Sequence, residues 1–226
     1  MPRRPREAPG GLVYHVLNRS VRGATVFERA LDYEAFEAVL ADSAAVRPMR
    51  LLRYSVMPNH WHLLLWPVND EDLSEFMHWL TVTHVQRYHA AHGTSGSGPM
   101  YQGRFKSFPV EDDEHLLTVA RYVERNPLRA LFVRRAEEWP WGSLWHRQRG
   151  DAVAATLLSA GPLPEPQGWL EWVNEPQSER ELGGIRASVR RGRPFGDPQW
   201  QRATAERLGL AATLRRLGRP RLSPHP

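Results

Sequence analysis

His60 and His62 open the run His60–Trp66 within VMPNHWHLLLW, residues 56–66. Side chains on a strand alternate between faces, so the two imidazoles point one way and Trp61 the other. Two imidazoles close together on one face suit a shared metal ion or a phosphate. A second pair stands in VARYVERNPLRA, residues 119–130. Tyr122 and Asn126 are four apart, which on a helix sets them on one face at about 6 Å between Cβ atoms. Tyrosine becomes a nucleophile toward phosphorus or carbon once activated, and a metal is one activator. The Asn126 amide oxygen would complete a site begun by two imidazoles. The chain has no cysteine, which excludes disulfides and thiolate sites. Oxygen and nitrogen ligands of this kind suit Mg²⁺ or Mn²⁺.

Each of these residues also has a plainer reading. A His-x-His pair at a strand start is often only packing. Asn126-Pro127 doubles as a helix stop, because proline disfavours the α conformation in the residue before it. Tyr122 taken alone is an ordinary half-buried tyrosine. Arg104 and Lys106 alternate with Phe105 and share one strand face, where they either track phosphates or stand in solvent. Arg121 and Arg125 flank Tyr122 and lean toward phosphate contact. Arg19 and Arg22 lie in a turn-rich loop that would meet a nucleic acid. Trp139, Trp141 and Trp145 are spaced to close a core, with base stacking as the alternative. His84, His89 and His92 are expected at the surface.

The elements that must position these groups follow from hydrophobic periodicity. Residues 12–18 read as a strand and 18–27 as a loop. Asp32 is expected to N-cap a helix bearing Phe36, Val39 and Leu40. Residues 49–56 and 60–66 are strands joined by a turn at Met57-Pro58-Asn59. A helix over 72–91 ends near Gly93, and HGTSGSGP is a loop. Residues 104–110 form a fourth strand, and 113–126 a helix with Leu116, Leu117, Ala120 and Val123 on its apolar face. The order β-α-β-β-α-β is the ferredoxin-like α+β pattern, a four-stranded antiparallel sheet with two helices on one face. Residues 1–11 read as a flexible tail. Residues 147–226 read as an appended basic region, with short helices at 178–191 and 198–217.

Bulk properties bound the partners. The 226 residues carry a net charge of +5. Residues 180–226 hold eleven arginines against three acids, or +8, while the first 179 hold 19 basic and 22 acidic residues, or −3. That asymmetry favours a polyanion, most often nucleic acid. Lys106 is the only lysine, so the choice of arginine elsewhere says little about guanidinium chemistry. The basic, proline-rich start has no apolar segment of the signal-peptide kind, and no run approaches the ~20 apolar residues of a membrane span. A cytoplasmic location, with no membrane partner, is expected.

MPNHWHLLLW, YQGRFKS, RYVERNPLRA and EEWPWGS, in that order, resemble the REP-associated tyrosine transposases. These belong to the HUH group of single-strand transposases, named for histidine–hydrophobic–histidine. The resemblance covers about residues 12–146, and RRGRPFGD is similar to the tails of that family. It implies a domain that binds single-stranded DNA, often at a palindromic hairpin, and cleaves it with Mg²⁺ or Mn²⁺ as monomer or homodimer. Carried over, His60 and His62 are metal ligands, Asn126 the third ligand, and Tyr122 the nucleophile that forms a 5′-phosphotyrosine. Tryptophan between the histidines departs from the usual smaller aliphatic residue. Two rivals remain: a catalytically inactive single-stranded DNA- or RNA-binding module of this fold, and a metallohydrolase. The first has no reason to keep all three groups, and the second wants further ligands near the His pair.

Overall fold

The computed structural model describes residues 8–215. Four strands, β1 (Val13–Arg19), β2 (Arg50–Met57), β3 (His60–Trp66) and β4 (Lys106–Val110), form one antiparallel sheet in the order β2-β3-β1-β4. The β2–β3 turn is the expected hairpin, and β1, first in the chain, lies between β3 and β4. Alternation along β1 and β3 sends Tyr14, Val16, Trp61, Leu63 and Leu65 into one buried cluster, with Val13 and Leu64 in another on the opposite face.

Helices α1 (Ala30–Val46) and α2 (Asp72–His92) pack on the first face through Phe36, Val39, Leu40, Leu73, Phe76, Met77 and Leu80. Asp32 marks the start of α1, but from its third position rather than the cap. Its carboxylate accepts from the backbone N–H groups of Glu28 (3.1 Å) and Arg29 (2.9 Å), donors that the first turn leaves unpaired. α2 ends where glycine permits it: Gly93 takes the left-handed conformation at φ 62° and closes the helix. β4 begins at Lys106, two residues later than expected. The preceding segment instead follows the end of β1, where Gln102 N–H donates to Arg19 O (2.9 Å).

The other face carries α3 (Glu114–Glu124) and the short α4 (Asn126–Arg129). Leu116, Val119, Ala120 and Tyr122 of α3 join Leu64, Phe108 and Val110 in the second cluster. Pro127, lacking an N–H, separates α4 from α3. Further helices follow: α5 (Ser143–Arg149), α6 (Ala152–Leu157), α7 (Trp169–Asn174), α8 (Glu179–Arg191), α9 (Pro198–Arg207) and α10 (Ala211–Leu214). Residues 1–7 of the expected tail and 216–217 of the expected last helix lie outside the described residues. Trp169, Val173, Leu182, Ile185 and Phe195 bury against α3 and the sheet.

Both sheet edges are covered, which removes free strand edges as pairing templates. Phe195 bonds to β4 in both directions, donating to Pro109 O and accepting from Glu111 N–H (both 2.9 Å). Gly196 sits so close that a Cβ there would meet the Glu111 carboxylate at 2.5 Å. On the β2 edge, Ser159 N–H donates to Leu51 O (2.8 Å) and Val56 N–H to Trp141 O (2.9 Å).

Candidate active site

β3 presents His60 and His62 toward α3, and the β-pleat turns Trp61 to the α1–α2 side. There Trp61 is fully buried and its Nε1 donates to the Tyr101 hydroxyl (2.9 Å). The two imidazoles stand with ring centroids 5.0 Å apart. His60 Nδ1 lies 2.6 Å from Asn59 Oδ1, and His62 Nδ1 lies 2.9 Å from His15 Nε2. In both rings Nδ1 is thus engaged, leaving Nε2 as the nitrogen for an ion. Burial lowers all three histidine pKa values, His60 to about 4 and His15 to about 3, with His62 well below the ordinary value. Arg129 contributes to each shift, Arg19 adds to that of His60, and the neighbouring imidazoles add to that of His62. Neutral imidazole is the form that ligates metals.

α3 brings Tyr122 over His62 and His15. Its ring centroid is 5.8 Å from that of His62 and 6.1 Å from that of His15, edge-on to both. The Arg129 guanidinium covers the ring at 4.1 Å, and its Nη1 donates to the Tyr122 carbonyl (3.4 Å). Asn126 is the first residue of α4, directly after the helix break, and is buried. Its Nδ2 is buried without a hydrogen-bond partner. No hydrogen bond ties that amide to one orientation, so either end is available to turn into the site. Two neutral imidazoles and an amide suit a hard divalent ion that keeps part of its water shell. Among the described residues, one cluster joins three His and carboxylate groups, Glu111, Asp113 and His115. It stands about two turns before Tyr122, where Asp113 caps α3 and Glu111 receives Asp197 N–H.

The cationic candidates divide. Arg19 pairs with His60 across β1 and β3, and Lys106 and His62 both pair with Leu17, so all lie on one sheet face. Arg19 and Lys106 are exposed. Arg22 is exposed in the following loop at φ 55°. Arg104 falls outside β4, exposed at the lip of a groove of about 900 Å³ beside α2. It therefore does not share a strand face with Lys106.

Arg121 does not reach an open surface, which corrects the expectation that it faces phosphates, and half-buried Arg125 is engaged by backbone carbonyls. Buried Arg121 donates to Trp172 O (2.7 Å), Glu175 O (2.7 Å) and Pro176 O (3.2 Å), and pairs with Glu181 at 3.4 Å. Arg125 donates to Asn174 O (2.6 Å) and Val173 O (3.2 Å). Both hold the end of α7. His84, expected at the surface, is also buried and meets the Tyr101 hydroxyl at 2.7 Å. Trp139 and Trp141 pack on the first core, and Trp145 under Arg149.

Two site residues escaped the sequence reading. His15 looked like one polar residue in an apolar strand, since only strand register brings it to His62. Arg129 had a legible signal, because it stands seven residues after Tyr122 on the same helical stripe, but Pro127 appeared to end the helix there.

A family profile described as Transposase IS200 like matches residues 10–126. Among solved structures, that of a REP-associated tyrosine transposase bound to a REP hairpin is similar, with a TM-score of 0.53 and 18% identity. The match covers 73% of this chain and 94% of that one. No curated protein matches at a significant level. Among the described residues no helix is long and apolar enough to cross a membrane.

Proposed function

Because the chain belongs to the IS200-like transposase family, we propose that it cleaves and rejoins single-stranded DNA through Tyr122. The observation that carries this reading is the meeting of Tyr122 with His62, which stands beside His60 on β3, the Nδ1 atoms of both neutral imidazoles being engaged elsewhere. His60 and His62 through Nε2, with the Asn126 amide, would hold Mg²⁺ or Mn²⁺. That ion would supply Lewis acidity at the scissile phosphate. The Tyr122 hydroxyl attacks phosphorus, its proton passes to solvent, and the P–O3′ bond breaks as O3′ takes up a proton. A 5′-phosphotyrosine results, and attack by another 3′-OH reverses the step. Arg129 pins the nucleophile's ring so that little freedom is lost on reaction. The DNA is proposed to carry a hairpin, as in the similar solved complex. Arg19, Arg22, Arg104 and Lys106 are its proposed phosphate contacts.

Tyr122→Phe removes one oxygen and keeps the ring. It is expected to abolish the covalent adduct with a hairpin oligonucleotide and leave the Kd nearly unchanged. Persistent adduct would assign the nucleophile elsewhere. Unchanged DNA affinity with no adduct from the native chain would favour the inactive binding module. For the metal, His62→Ala is expected to abolish thermal stabilisation by Mn²⁺. Asn126→Ala should weaken Mn²⁺ affinity by about 10–100-fold, as loss of a supporting group does.

A further inference from the structure

His15 is fully buried, and no part of the family chemistry above uses it. Its Nε2 lies 2.9 Å from His62 Nδ1, with the rings stacked at 5.0 Å. Two further rings stand against it, Phe108 at 4.9 Å and Tyr122 at 6.1 Å. Its other nitrogen, Nδ1, is buried with no hydrogen-bond partner. Two neutral imidazoles at this distance share one proton, so one ring must donate and the other accept.

The neighbouring histidine shows which arrangement the site requires. Asn59 Nδ2 donates to Gly23 O (3.1 Å), which turns Asn59 Oδ1 toward His60 Nδ1 at 2.6 Å. An amide oxygen only accepts, so His60 carries its proton on Nδ1 and a lone pair on Nε2. If His15 donated to His62, then His62 would carry its proton on Nε2. The pair would then offer one lone pair and one N–H, which no single cation bridges.

We propose that His15 is a positioning residue that accepts the Nδ1 proton of His62 and so fixes His62 Nε2 as a lone-pair donor matching His60. The His15 proton then resides on its own unpartnered Nδ1, and stability is given up to hold the second ring's tautomer. This direction of the hydrogen bond rests on the function proposed above, in which His62 holds the ion, but the tautomer itself can be read without metal.

The test uses the full chain with ¹⁵N-labelled histidine. Two-bond ¹H–¹⁵N correlation in the metal-free protein reads the protonated nitrogen of His62, and electron paramagnetic resonance of free Mn²⁺ reads affinity. The native chain is expected to show His62 Nδ1–H. His15→Phe is expected to move that proton toward Nε2 and weaken Mn²⁺ binding about 10–100-fold, without lowering Tm. His15→Gln, whose amide oxygen accepts, is expected to recover most of the affinity and supplies the comparison if the phenylalanine variant does not fold. A native His62 protonated at Nε2, or undiminished Mn²⁺ affinity in a folded His15→Phe, would overturn the proposal. Native His62 protonated at Nδ1 without Mn²⁺ affinity would uphold the tautomer and remove the metal reading instead.

Discussion

Trp61 separates the two histidines along β3 and anchors them from behind. Its Nε1–H reaches the Tyr101 hydroxyl, which in turn meets His84 Nδ1, so a polar chain ties the middle strand to α2 inside an apolar layer. A larger residue than the usual aliphatic one is therefore accommodated with its N–H satisfied. His84 has no counter-charge in direct contact, and burial lowers its pKa to about 3 from the ordinary 6.5. It remains neutral in the fold at pH values where the unfolded chain protonates its histidine. Its contribution to stability is present above pH 6.5 and is lost as pH falls toward 3. At 1.36 kcal/mol per pH unit the full loss is on the order of 5 kcal/mol. Urea midpoints measured from pH 7 to pH 3 should fall less steeply in His84→Gln than in the native chain. Parallel curves would place the acid sensitivity in other groups.

At the scale of elements, α3 is held on two sides, and this fixes the nucleophile. Its inner side joins the sheet cluster, while Arg121 and Arg125 fasten its outer side to carbonyls at the end of α7, where positive charge is favoured. Glu124, one turn away, is buried against Arg53 (2.9 Å), with further bonds from Ser143 (3.1 Å) and Trp169 (2.8 Å). Burial raises the Glu124 pKa, and Arg53 opposes that shift. Arg121→Met would leave the carbonyls of Trp172, Glu175 and Pro176 unsatisfied, for a loss of roughly 3 kcal/mol in unfolding free energy. Its effect on DNA should separate the structural role from a phosphate contact. A structural Arg121 leaves the slope of log K against log[salt] unchanged, whereas a lost phosphate contact on a single strand would flatten it by about 0.7.

For the whole molecule, charge and packing place different demands on residues 147–226. The proposed division at residue 147 falls inside α5. The segment 180–226 holds the +8 excess that balances a −3 remainder, yet Leu182, Ile185 and Phe195 from it complete the cluster against α3. Deleting it would uncover apolar surface and disturb the site, so charge substitution is the cleaner test. Arg186, Arg190, Arg202 and Arg207 are exposed on α8 and α9. Replacing all four with Gln should flatten the salt slope for a hairpin with a single-stranded flank by about 3, if each meets a phosphate. Cleavage at low salt and saturating DNA should be preserved. An unchanged slope would leave the DNA path to Arg19, Arg22, Arg104 and Lys106.

The sequence by itself determined the strand and helix order through α3, the shared face of His60 and His62, and the end of α2 at Gly93. Each of these follows from a period of two or 3.6 residues or from one residue's backbone preference, and such signals are local. Tertiary structure decided the partners that local periodicity does not carry. Strand register placed His15 beside His62, and a slip of one residue would have sent it to the other face. The path of the chain after residue 147 turned Arg121 and Arg125 from apparent phosphate ligands into clasps for α7. Pro127 looked like a terminus, but the chain resumed as α4 and returned Arg129 to the Tyr122 ring. A cation's role depends on which carbonyl, carboxylate or ring comes within about 4 Å, and pairings dozens of residues apart in sequence are set only when the layers pack.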